Sequence, residues 1–88
     1  MKEELMTNVK SNNNFFVTKD LSESGALLIK NQKLIRIERV GKTCWFYFEN
    51  PDKCSKISND FFFGNLTVNA RDYYQTITKL KNRIFAGI

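Results

Sequence analysis

Gly41-Lys42-Thr43 copies the last three positions of the GxxxxGK[ST] loop, whose backbone and lysine cradle the phosphates of a nucleotide. The first glycine of that motif would fall at Arg36, and an aromatic-rich run rather than a helix follows Thr43, so no helix N-terminus is aimed at a phosphate. The tripeptide therefore reads as the turn of a hairpin. Metal chemistry has little to work with: there is no histidine, and Cys44 and Cys54 lack the second pair that a zinc site needs. Nucleophilic catalysis lacks its usual base. Asp20, Asp52 and Asp72 fall where helix caps and first turns use carboxylates, whereas Glu23, Glu38 and Glu49 read as solvated side chains. No catalytic residue, metal or cofactor is expected, and the chain does not read as an enzyme. Asn65-Leu66-Thr67 fits the glycosylation pattern and reads as a loop.

Binding is a better match to the residues present. Arg36, Trp45 and Tyr47 share one face of a predicted hairpin and resemble the stacking platform of single-stranded nucleic-acid binders, where each stacked base is worth about 1–3 kcal/mol. Lys79, Lys81 and Arg83 on the last helix would supply the salt-sensitive attraction to phosphates, although cations in the last turns also complement the helix dipole. Phe62 and Phe63 form a small apolar patch suited to a protein partner. The strand and helix order approaches that of an RNA-recognition fold. Its RNP1 octamer is missing, because Arg39-Val40-Gly41 does not supply the basic-Gly-aromatic start.

These residues are held by elements whose periods are legible. Phe15 to Lys19 reads as a strand, and Asp20 with Glu23 marks the start of a helix running to about Lys30. Leu21, Gly25 and Leu28 form a narrow buried stripe on that helix, with Gly25 expected to let it approach the sheet. Asn31 can end it in a left-handed conformation. Leu34 to Val40 and Thr43 to Phe48 flank Gly41 as a hairpin, whose turn is Val40-Gly41 or Gly41-Lys42. Either turn places Ile35 and Ile37 with Cys44, Phe46 and Phe48 on the core face, and leaves Leu34, Arg36, Glu38, Thr43, Trp45, Tyr47 and Glu49 on the other. That second face is expected to be covered by the last helix, by the N-terminal arm or by a second subunit.

Asn50-Pro51 starts a second helix carrying Cys54, Ile57 and Phe61, with Phe62 at its edge, Phe63 off the stripe and Gly64 as its stop. Leu66-Thr67-Val68 is extended and allows a fourth strand. Asn69 then caps a helix with Tyr73, Ile77, Leu80 and Ile84 on one stripe, and Tyr74 and Phe85 beside them. The fold class is α+β: a mostly antiparallel sheet of three or four strands in the order β-α-β-β-α-(β)-α, with the helices packed on it. Residues 1–14 read as a polar arm and 15–88 as one domain.

With 88 residues, folding buries about two thirds of the unfolded chain's surface, so the 8 Phe, 3 Tyr and 1 Trp matter for the core. The net charge is +5, and the last 28 residues carry Arg71, Lys79, Lys81 and Arg83 against Asp72 alone. Such a balance favours anionic partners. No run approaches the ~20 apolar residues of a membrane span, the N-terminus has no signal-like apolar core, and the cysteines fall on core faces. A reduced, cytoplasmic protein is expected.

Thr18-Lys19-Asp20-Leu21, Lys33-Leu34, Phe46-Tyr47-Phe48, Asp60-Phe61, Gly64, Val68-Asn69-Ala70-Arg71 and Leu80-Lys81 carry a resemblance to a known family. From about Phe15 to Phe85 the chain resembles a family of small single domains of unknown function, found in phages, prophages and mobile elements of Gram-positive bacteria. The resemblance implies the fold and an accessory role in such an element. It carries over no catalytic or ligand residue, and the run Phe61-Phe62-Phe63 departs from its pattern by replacing a polar position. Two functions are thus expected in turn: association with DNA or RNA through the basic and aromatic surface, or modulation of a host or phage protein.

Overall fold

The computed structural model describes residues 14–87, so all of the N-terminal arm before Asn14 lies outside the described residues. The elements follow as β1 (Phe15–Thr18), α1 (Leu21–Ile29), β2 (Leu34–Val40), β3 (Thr43–Glu49), α2 (Pro51–Phe62) and α3 (Ala70–Phe85). β3 is the central strand of the sheet and runs antiparallel to both β1 and β2. Its core face carries Phe46 and Phe48, which pack with Leu27 of α1, Cys54 of α2 and Leu80 of α3. All three helices therefore lie on one side, in the two-layer α+β arrangement expected. The extended segment 65–69 does not become a fourth strand; Thr67 instead presents its carbonyl to the ammonium of Lys30 at 2.7 Å.

The hairpin turns at Gly41-Lys42, with Gly41 at φ +62, and pairs Val40 with Thr43 through to Arg36 with Tyr47. Beyond that point the register shifts. Leu34, not Ile35, pairs with Phe48, so one extra residue is accommodated in β2 as a bulge. Leu34 consequently packs against the core, while Ile35 is 40% exposed. The expected pairing of Ile35 with the core face and Leu34 with the outer face is reversed at this one step.

α1 differs from its expected narrow stripe because α2 and α3 flank it while the sheet lies beneath. Glu23, Ser24, Gly25, Ala26 and Leu27 are all buried. Gly25 faces α3 rather than the sheet: a Cβ there would lie 2.4 Å from Ile77 Cδ1 and 3.3 Å from Tyr73 Cε1. Tyr73 reinforces the contact by donating its hydroxyl to the Ser22 carbonyl at 3.0 Å.

Glu23 is likewise not solvated. Asp20 accepts from the Glu23 amide at 2.9 Å as the N-cap, but the Glu23 carboxylate does not return to close a capping box. It accepts instead from Thr18 Oγ1 at 2.6 Å and from Ser58 Oγ, joining β1, α1 and α2 through one buried carboxylate. Burial of the neighbouring Cys54 thiol and, to a lesser degree, the Glu23 charge hold that thiol in its protonated form, its pKa pushed up to about 11. Asn50 and Asn69 cap α2 and α3 as expected, by accepting from the amides of Lys53 and Asp72. Tyr73, Ile77, Leu80 and Ile84 of α3 are turned inward, whereas Tyr74 and Phe85 are solvent-exposed rather than part of that stripe.

Three outcomes follow from this packing. Glu23→Ala leaves two buried hydroxyls without their acceptor and should lower unfolding free energy by about 2–3 kcal/mol, read from the urea midpoint; Glu23→Gln, which keeps one acceptor oxygen, should fall between. Gly25→Val should cost about 1–3 kcal/mol by forcing α1 and α3 apart, and an unchanged midpoint would contradict the close approach. The folded chain keeps the Cys54 proton up to about pH 11, whereas the unfolded chain releases it near the ordinary value of 9.0. Stability from this group is thus complete below the lower value and lost as pH rises to the upper one. Cys54→Ala should flatten that alkaline decline relative to the parent chain.

Candidate functional site

The face of the sheet opposite the helices carries Phe15, Val17, Arg36, Glu38, Trp45 and Tyr47, placed there by the antiparallel registers of β1 and β2 on β3. α3 does not cover it, since α3 packs on the other side. Tyr47 is nevertheless only 6% exposed. The guanidinium of Arg36 lies 3.9 Å above its ring, Phe15 meets it edge-on at 5.9 Å, and its hydroxyl donates to Glu38 at 2.7 Å. The bond to Glu38, then burial, then the Glu38 charge raise the phenol pKa, against a smaller opposing effect of Arg36. Glu38 is therefore a half-buried partner rather than a solvated residue. Trp45 is half-buried, with the Lys19 ammonium 5.9 Å from its ring.

This arrangement corrects the expected platform. Arg36 and Tyr47 are neighbours, as the hairpin required, but they satisfy each other: the ring face that a base would need is occupied by the guanidinium. Stacking on Tyr47 would require removing that contact first.

A second arrangement, not anticipated, lies along β2. An open groove of about 660 Å³ runs between β2 and α3, lined by Leu34, Ile35, Arg36 and Ile37 on one side and Thr76, Lys79, Leu80 and Arg83 on the other, with Leu28 at its base. Successive residues of a regular strand point to opposite faces; here the bulge at Ile35 and the outer position of β2 together let four in a row border one groove. Among the described residues no strand pairs with that edge. The walls are tied at one end by Arg39, which donates to the Ile84 carbonyl at 2.9 Å.

The groove gathers the charges of two of the four candidate cations. Lys79 and Arg83, one helical turn apart, line it; Arg36 also borders it but holds its guanidinium over Tyr47, and Lys81 is exposed and projects from another side of α3. Among the described residues no carboxylate lines it. Phe62 and Phe63 are 62% and 78% exposed at the end of α2 and take no part in it, with Phe61 and Phe62 in edge-on contact at 5.3 Å. Leu28, Leu34, Ile35, Ile37, Thr76 and Leu80 are the groove residues that the sequence reading did not name as binding candidates. The adjacent apolar pair Leu34-Ile35, which breaks the alternation of β2, was the available signal for a bulge there.

Among the described residues no helix is long and apolar enough to cross a membrane. No curated protein and no solved structure matches the chain. A family described as a domain of unknown function, DUF5659, matches residues 13–86, which takes in the sheet, all three helices and every residue of the groove. The chain belongs to the DUF5659 family.

Proposed function

We propose that this chain is a small non-catalytic binding protein, an accessory of a phage or mobile element acting in the host cytoplasm, and that its groove takes an extended polypeptide segment of a host or phage protein. The observation that carries this reading is the edge of β2, which no strand pairs among the described residues, opening into a groove with an aliphatic floor. Main-chain donors and acceptors along such an edge suit another polypeptide, and Leu28, Leu34, Ile35, Ile37 and Leu80 suit its apolar side chains. Phe62 and Phe63 offer a separate contact for the same kind of partner.

Association with DNA or RNA is the second reading. It is favoured by the net charge of +5 and by the pairing of Lys79 and Arg83 in the groove. Against it, no aromatic side chain lines the groove and Tyr47 is covered, so the stacking that supports sequence-independent strand binding is not on offer there.

Fluorescence anisotropy with short single- and double-stranded DNA and RNA separates the two. The polypeptide reading expects weak binding at physiological salt that is altered little by Tyr47→Phe. Tight binding, with log K falling steeply against log salt and the slope reduced by about one for each of Lys79→Ala and Arg83→Ala, would overturn it in favour of the nucleic acid.

A further inference from the structure

Resting on the reading of the groove as a polypeptide site, the geometry points to its mode and its chemistry. We infer that an acidic, partly apolar segment of the partner adds to β2 as a fourth strand, its carboxylates meeting Lys79 and Arg83 and its apolar side chains meeting Leu34, Ile35 and Leu80. The edge supplies the first element. β2 is the outer strand of the order β1-β3-β2, and the groove follows it over Leu34 to Ile37, a length of about 13 Å at ~3.3 Å per residue. That length pairs with about four partner residues.

Charge supplies the second element. Lys79 and Arg83 line a groove in which no acidic side chain stands among the described residues, so an incoming acidic side chain meets complementary charge there and a basic one meets repulsion. Lys79 and Arg83 lie on the helix wall, whereas the guanidinium of Arg36 is held over Tyr47 on the outer face. A strand laid along the edge therefore turns the side chains of one face towards α3 and its two cations. The bulge supplies the third element, because the extra residue Ile35 is carried into the groove and adds exposed aliphatic surface beside the edge. Such surface distinguishes a peptide with interspersed apolar residues from a purely acidic polymer.

The test is selection of random short peptides on the intact chain, followed by synthesis of the enriched sequences. Acidic and apolar residues should alternate in them. Methylating alternate backbone amides should weaken binding about tenfold or more, and methylating the intervening amides should not, because a strand presents every second amide to its neighbour. Lys79→Glu with Arg83→Glu should abolish binding of the acidic peptides and admit their lysine counterparts. Both positions are exposed, and circular dichroism would verify that the variant remains folded. Peptides that need Lys79 and Arg83 but show helical spacing and tolerate amide methylation would overturn strand addition while leaving the groove a polypeptide site. Failure to enrich any peptide dependent on Lys79 and Arg83 would overturn the inference and the polypeptide reading together, the more so if oligonucleotides then bind there.

Discussion

The extra residue in β2 governs what each side of this molecule presents. From Val40 back to Arg36 the hairpin keeps the register its turn imposes, and Arg36 is held opposite Tyr47 on the outer face. One step further, the bulge lets Leu34 rather than Ile35 pair with Phe48. Leu34 joins the core and Ile35 turns to the groove. Without the bulge, strict alternation would bring Ile35 inward with Ile37 and leave Leu34 on the outer face. One irregularity therefore completes the core beneath β3 and creates the aliphatic side of the groove.

The helical layer depends on a different constraint, the absence of room around α1. Gly25 allows Ile77 and Tyr73 of α3 to come close on one side, and Glu23 reaches Ser58 of α2 on another. α1 is consequently packed from three directions and has no solvated face wide enough for a stripe pattern to describe it. The buried carboxylate is tolerated because both hydroxyl donors are local to it, one from β1 and one from α2. Its satisfaction binds the first strand to the helical layer, where burial alone would leave β1 a four-residue strand at the sheet's other edge.

Much of this was legible in the residues. Asp20, Asn50 and Asn69 identify three helix starts through local hydrogen bonding, and Gly41 identifies the turn through its positive φ. Tyr73, Ile77, Leu80 and Ile84 identify the inward face of α3 because that helix has one packed side. The misreadings all require knowledge of a neighbour. Glu23 looks solvated until Thr18 and Ser58 are placed around it, and Gly25 looks aimed at the sheet until α3 is. Tyr74 and Phe85 are aromatic residues adjoining an apolar stripe, yet both stand in solvent beside it. The groove is the extreme case: it combines the end of one strand with the far end of the chain, so no local pattern contains it.

The cations of the groove also bear on how an open edge can be tolerated. An unpaired strand edge with aliphatic surface beside it invites pairing with the same edge of another copy. Two copies approaching in that way would bring Lys79 and Arg83 of each against their own counterparts, with no carboxylate among the described residues of either groove to offset them. Like charges at close quarters cost several kcal/mol at an interface, so self-pairing is opposed by the same side chains that would attract an acidic strand. Under the proposed mode, then, the basic residues discriminate as well as bind. The backbone edge is common to every candidate strand, and the selection between self and partner falls to the charges that flank it.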